Sequence, residues 1–202
     1  MCIRDRVNRL LWQQKQFNLT SNDRVIHKTP NGFDVSIWEM FWPIINGAQL
    51  FILSQEIHRD PNELVSFISQ HQITIAHFVP SMLKMFLGSE DVAICASLRL
   101  VVSSGEVLQS DLVTSFFEAL NCELYNLYGP TEACIDVSYY RCDKTSDEVG
   151  SIPIGRPIWN TQLYILDQNL KPVSIGVVGQ LYIGGIGLAR GYLNNHQLTD
   201  QR

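Results

Sequence analysis

Short apolar runs alternate with stripes of apolar residues at helical spacing along most of this chain, and few architectures accommodate that order. The run at 98–102 (LRLVV) is nearly continuous, as in a strand covered on both faces. Val25 with Ile26, and the segments 50–53, 73–78 and 123–128, read as further strands, that at 50–53 as a buried one. Between them, Trp38, Phe41, Trp42 and Ile45 recur at helical spacing, as do Leu64, Phe67 and Ile68, and Leu112, Val113, Phe116, Phe117 and Leu120. Shorter helices are expected around Leu10, Leu11 and Phe17 and over 81–87, the latter stopped by Gly88. Asp60-Pro61-Asn62-Glu63 is a helix start, with a capping Asp, Pro at the first helical position and Glu closing a capping box. The order predicts an α/β fold, a mostly parallel sheet with covering helices.

Past about Asp143 the texture changes. Segments 161–167 and 179–185 are rich in strand formers and are separated by Gln168-Asn169 and Gly176, which predicts a β-rich end. The first six residues (MCIRDR) show no periodicity and join abruptly to a patterned stretch, so 1–6 are set apart as a non-native start. The division is therefore 1–6, an α/β part over 7–143, and a β-rich part over 144–202.

Composition narrows the function. Hydrophobic residues make up 46% of the 202 residues and charged ones 17%, enough apolar content for a substantial core. The net charge of -5 leaves no basic surplus to neutralise phosphates, which argues against nucleic acid or an anionic membrane as partner. No apolar run has the length of a membrane span, and no signal peptide opens the chain. Five cysteines without C-x-x-C spacing read as reduced thiols of a cytoplasmic protein, and the five histidines lack H-E-x-x-H pairing.

Ligands of open parallel sheets bind beyond the carboxyl ends of the strands. Three strands end in unusual residues: one at His77 before Val79-Pro80, one at Ser103-Ser104-Gly105-Glu106, one at Tyr128-Gly129-Pro130-Thr131-Glu132. One such end is an ordinary turn; three in one sheet point to a common crevice. In the last of them Thr131 offers a hydroxyl, Glu132 a hard oxygen ligand for Mg²⁺, and Tyr128 a flat ring for stacking on a base. Asp34 opens the Trp38 helix, where it serves either as an N-cap or as a carboxylate facing a substrate ammonium. The cluster Gly184-Gly185-Ile186-Gly187 does not match a phosphate-binding loop and reads as a β-turn.

Four segments together resemble successive core motifs of amino-acid-activating adenylation domains of nonribosomal peptide synthetases, within the superfamily of acyl-CoA synthetases and firefly luciferase. They are 33–40 (FDVSIWEM), 126–132 (NLYGPTE), 154–157 (IGRP) and 179–193 (GQLYIGGIGLARGYL). The resemblance runs from Val7 to the C-terminus and departs at Gln180, where the family usually has Glu. It implies part of the large N-terminal subdomain of an adenylate-forming enzyme, followed by the start of a small β-barrel-like subdomain. It also implies ATP and Mg²⁺ as cofactors and a phosphopantetheine thiol on a peptidyl carrier domain as acceptor. A condensation domain and an MbtH-like helper are expected partners.

By the same resemblance, Asn126, Tyr128 and Gly129 with the backbone near Gly105 and Glu106 would contact adenine, Thr131 would touch phosphate, and Glu132 would hold Mg²⁺. The matching specificity positions are Asp34, Val35, Trp38, His77, Val102, Ser104, Leu127, Ile135 and Asp136. Their string, DVWHVSLID, resembles the serine-selecting pattern, with Trp38 making the cavity shallow. Alternation places His77 on one strand face with Ile73 and Ile75, and Ser104 with Val102. Threonine and 2,3-diaminopropionate are the nearest competitors. An acyl- or aryl-CoA ligase on the same fold is disfavoured by Asp34, since such acids carry no ammonium; a non-catalytic binding module is the remaining alternative. The family's upstream phosphate loop, its ribose-holding Asp and Arg and its catalytic Lys find no match, so the 202-residue chain alone is expected to be an inactive fragment.

Overall fold

Among the described residues, seven strands form one sheet in the order β2-β1-β3-β4-β5-β6-β7. They are β1 (Arg24–His27), β2 (Gln49–Ile52), β3 (Ile75–Phe78), β4 (Leu100–Ser103), β5 (Glu123–Tyr128), β6 (Ser138–Cys142) and β7 (Arg156–Pro157). The computed structural model describes residues 2–144 and 150–201. Met1, residues 145–149 and Arg202, which belong to the first and last segments of the sequence division, lie outside the described residues. Pairings from β2 through β5 are parallel, while β6 and β7 add antiparallel. The helices are α1 (Ile3–Phe17), α2 (Val35–Ile45), α3 (Gln55–Arg59), α4 (Pro61–His71), α5 (Pro80–Leu87), α6 (Ser110–Ala119) and α7 (His196–Asp200). Strands β8 (Thr161–Leu166) and β9 (Gln180–Gly185) pair antiparallel as a separate sheet. No helix among the described residues is long and apolar enough to cross a membrane.

Period-two alternation sorts the strand side chains into two cores. Ile26, Ala76, Phe78, Val101 and Leu124 meet α4, α5 and α6 through Leu64, Ile68, Phe86 and Phe116. Val25, Ile75, Leu100, Val102, Tyr125 and Leu127 meet α1 and α2 through Trp12, Phe17, Trp38 and Trp42. Phe116 is wholly buried, and its truncation to Ala costs about 3–5 kcal/mol on general grounds.

The structure corrects three local expectations and adds one observation at the start of the chain. Strand β2 is not buried: it lies at the edge of the sheet with one neighbour, and Ile52 is 71% exposed. Asp60 does cap α4, accepting from the Asn62 and Glu63 backbones, but the return half of a capping box is not made. The Asp60 N–H donates instead to Ile57 O of α3, which ends immediately before it. Ile73 packs in the core opposite to that of Ile75, because it precedes β3 and its N–H is tied to Ile68 of α4. Residues 3–6, set apart on sequence, form the first turn of α1. There Asp5 is buried, accepting from Cys2 N at 2.8 Å, as an acidic group at a helix N-terminus does.

Candidate active site

A cavity of about 580 Å³ opens at the carboxyl ends of β1, β3, β4 and β5. Three of its walls are the strand ends singled out on sequence: His77, Ser104 to Glu106, and Gly129 to Thr131. Asp34 and Val35 close it from α2, and Ile135 and Asp136 from the loop after β5. Gly129 permits that loop to fold back, since a Cβ there would lie 2.5 Å from the Asp136 Cα. Cys134 and Ile135 both have positive φ, 70° and 71°. For a β-branched residue this is a strained backbone of about 1–3 kcal/mol, held in place by the surrounding packing.

Asp34 does not cap its helix. The turn is closed by Ser36 N and Ser36 Oγ donating to Phe33 O and by Ile37 N donating to Asp34 O, so no amide needs the carboxylate. Asp34 Oδ2 is buried at the cavity with no hydrogen-bond partner among the described residues. An unpaired buried carboxylate oxygen costs free energy until a donor or cation meets it.

On another wall, His77 Nε2 lies 2.9 Å from Ser104 Oγ. Burial, with Lys28 nearby, pushes the His77 imidazole down to about 3, so the ring is neutral. Its Nδ1 makes no hydrogen bond among the described residues, and the nearest acid, Glu39 Oε1, acts on it only through its charge at 3.9 Å. A carboxylate can only accept, which favours the proton on Nδ1 and leaves Nε2 to accept from the Ser104 hydroxyl. Trp38 does not line the cavity; it stands edge-on behind His77, ring centroids 6.0 Å apart, and acts on its depth only through that ring. Val102 and Leu127 likewise lie in the apolar layer beneath.

Glu39, wholly buried, is the hub under this wall. It accepts from Lys28 N at 3.1 Å, Thr29 N at 2.9 Å and Thr29 Oγ1 at 2.6 Å, and pairs with His27 Nδ1 at 2.8 Å. Burial works against its charge, but the His27 hydrogen bond, the Lys28 ammonium and the Thr29 hydroxyl hold its carboxyl below the usual range. Lys28 lines the cavity, and burial brings its ammonium down to about 8 against the pull of Glu39. Asp136 is bound from below by Arg9 of α1, Nη2 to Oδ2 at 2.6 Å, both side chains buried.

A second cavity of about 350 Å³ adjoins the first and shares Gly105, Glu106 and Gly129 with it. Asn126 and Tyr128 line it. Asn126 Nδ2 donates to Pro153 O at 3.0 Å, which holds the 152–153 segment against β5. Tyr128 keeps 36% of its surface exposed, enough for a planar ligand to stack. Glu106 accepts from Ser81 N and Oγ, both at 2.9 Å, joining β4 to the start of α5.

Thr131 and Glu132 sit in a single 3₁₀ turn, and both are exposed. The Tyr192 hydroxyl donates to Glu132 Oε1, and Ala189 N to Glu132 O. The glycine-rich loop after β9 therefore packs on this turn, and at Gly187 a Cβ would crowd Ala133 O at 2.9 Å. Magnesium is commonly held by one or two carboxylates plus substrate phosphates, and one exposed carboxylate beside a hydroxyl on this turn fits that donor set.

Of the nine positions that the resemblance assigns to specificity, Asp34, Val35, His77, Ser104, Ile135 and Asp136 meet at the cavity and Trp38, Val102 and Leu127 back it. The sequence reading missed Arg9, Lys28, Thr29 and Glu39. For Lys28 and Thr29 the signal was a fourth polar strand end, His27-Lys28-Thr29 directly after the apolar Val25-Ile26. Arg9 offered none, since a lone Arg in a polar helix reads as solvated.

The chain is similar to known proteins throughout. The family profile of the AMP-binding enzyme matches residues 4–193. Enterobactin synthase component F of Escherichia coli is 47% identical over 203 residues, covering 97% of this chain and 16% of that protein. Vanchrobactin synthetase VabF of Vibrio anguillarum is 46% identical, covering 97% of this chain and 7% of that protein. The chain thus spans a small part of the length of these relatives. A four-domain nonribosomal peptide synthetase bound to AMP and glycine superposes with TM-score 0.89 at 32% identity, covering 98% of this chain and 14% of that one. The Vibrio cholerae adenylation domain AlmE in complex with glycyl-adenosine-5'-phosphate gives 0.86 at 29%, covering 98% and 38%. The mixed sheet, the strand-end cavity and these matches agree: the chain belongs to the AMP-binding enzyme family, as adenylation-domain sequence of the nonribosomal peptide synthetase type.

Proposed function

We propose that this chain supplies the amino-acid pocket and adenine site of a domain that joins L-serine to AMP. A carboxylate oxygen of serine attacks the α-phosphorus of ATP, the bond to pyrophosphate breaks, and seryl-AMP forms. The seryl group then passes to a phosphopantetheine thiol on a carrier domain as a thioester, the acyl–phosphate bond breaks and AMP leaves, with a condensation domain and an MbtH-like helper as further partners of the whole protein. The observation that carries the reading is Asp34 Oδ2, buried at the cavity without a partner among the described residues and able to receive one ammonium. A fatty or aryl acid has nothing to offer it, which disfavours an acyl-CoA ligase.

Serine rather than another small amino acid rests on the polar wall. With its proton given to His77 Nε2, Ser104 Oγ turns lone pairs to the cavity and accepts a substrate hydroxyl. Alanine would leave that acceptor unpaired, a loss of about 1–3 kcal/mol. Threonine brings one extra methyl, whose exclusion is worth about 1–3 kcal/mol in a tight site. Two solved relatives hold glycine or its adenylate, amino acids of similar size. In the neighbouring cavity Asn126, Tyr128, Gly105, Glu106 and Gly129 would hold the adenine, with Thr131 at the phosphates. Glu132 would hold Mg²⁺, which offsets charge on the phosphates when bound.

The test is amino-acid-dependent ATP–pyrophosphate exchange by the full-length protein carrying this chain. Serine is expected to exceed alanine and threonine each by at least about ten-fold. A preference for either of them, or for an acid lacking an α-ammonium, overturns the reading.

A further inference from the structure

We infer that Arg9, in a helix outside every recognised motif, determines substrate charge by neutralising Asp136, so that the pocket admits amino acids with an uncharged side chain. The inference rests on the amino-acid pocket proposed above. Two carboxylates, Asp34 and Asp136, line the same cavity, and Asp34 raises the cost of charging Asp136. Left alone, they would present two negative charges to a substrate that brings one ammonium. Arg9 resolves this for Asp136 only. Its Nη2 lies 2.6 Å from Asp136 Oδ2, its Nη1 donates to Gln13 Oε1 at 2.6 Å, and its guanidinium stacks 4.7 Å from the Trp12 ring centre. It is 1% exposed, so solvent does not screen the pair. Burial leaves the Asp136 carboxyl above its ordinary range although Arg9 pulls it down. The guanidinium keeps its proton and stands 2.6 Å from the carboxyl, so the negative charge that Asp136 carries is matched by a buried cation.

The two acids thereby take different roles. Asp34 keeps an unpaired charge for the α-ammonium. Asp136, with one oxygen committed to Arg9, has the other oxygen left as an acceptor for an uncharged donor. Arg9 does not itself line the cavity; it is a positioning residue acting through Asp136.

The experiment compares kcat/KM for serine and 2,3-diaminopropionate, which replaces the hydroxyl by an ammonium, in pyrophosphate exchange by the full-length protein. Arg9→Gln is expected to shift the ratio toward the diamino acid by about ten-fold or more, the change expected when a charge-assisted contact is gained. Asp136→Asn, which leaves the guanidinium unopposed, is expected to shift it the other way. The double variant Arg9→Gln with Asp136→Asn is expected to restore the wild-type ratio to within about three-fold. A merely structural role would lower both activities together and leave the ratio unmoved in all three, and that result overturns the inference. Should Arg9→Gln prove unfolded by thermal melting, the Asp136→Asn ratio decides, and no shift there overturns it equally. Failure of the serine reading shows elsewhere, in the wild type: if another neutral amino acid is preferred, the same ratio is taken with that amino acid and its side-chain amine. A wild type that activates no amino acid removes the pocket reading and this inference with it.

Discussion

His77 and Ser104 are joined edge to edge across neighbouring parallel strands, Nε2 to Oγ at 2.9 Å, with both side chains buried beside the cavity. On the proposed reading this bond orients Ser104 for a substrate hydroxyl, so its loss should act on side-chain choice and not on nucleotide. His77→Ala is expected to lower serine-dependent pyrophosphate exchange by about ten-fold or more while ATP binding stays within two- to three-fold, as loss of one buried hydrogen-bonded unit implies. Measuring exchange with serine and alanine in parallel checks it. A variant that still prefers serine over alanine would show that this pair does not read the side chain.

Asp34 invites a test that separates function from stability. Its carboxylate makes no capping bond, so Asp34→Asn should leave the melting temperature unchanged or slightly raised. Amino-acid-dependent exchange should nevertheless fall by about ten- to hundred-fold, the value of a charge-assisted contact. Calorimetry together with exchange kinetics reads both halves.

The pH dependence of stability follows from His77. Its folded value lies near 3, below the ordinary 6.5, so between these values the unfolded chain binds a proton that the folded one refuses. Stability from this residue is therefore complete above pH 6.5 and is lost as pH falls toward 3. His27 runs oppositely: Glu39 raises it, so its contribution is complete below 6.5 and fades as pH rises through its folded value. His77→Asn should flatten the acid limb of a melting-temperature profile relative to wild type. Parallel limbs for the two proteins would exclude His77 as its source.

Glu39→Gln tests the hub beneath the pocket. The substitution puts an amide against donors from Lys28, Thr29 and His27 and removes the countercharge of a buried lysine. Removing one partner of such a network costs about 3–5 kcal/mol. For a chain of this size that is a fall of roughly 10 °C in Tm, measurable by thermal denaturation. A fall under about 3 °C would mean that Lys28 and His27 find other partners.

Much of this was legible in the residues themselves, for identifiable reasons. The 98–102 run announces β4 because a strand covered on both faces needs apolar residues at every position. The strand ends at His77, Ser104 and Tyr128 announce the cavity because polar groups there have no core to enter. Strand β6 was harder: Ser138-Tyr139-Tyr140-Arg141-Cys142 is half polar, since it pairs antiparallel toward the far edge, where burial is incomplete. The Arg9–Asp136 bond joins residues 127 apart, and local pattern carries no trace of such a pairing. Glu39 was equally hidden, because a glutamate in an apolar helix stripe looks like its solvent side until the chain folds over it.

The left-handed pair at Cys134 and Ile135 has a consequence for how such a pocket can diversify. Its contour at this point is dictated by main-chain torsions, which no single side-chain exchange rewrites. On the proposed reading, drift toward a new substrate has its shorter routes through positions 77, 104 and 136, where reach and charge change one atom group at a time. The bend at 134–135 stays as the mould around which those trials are made.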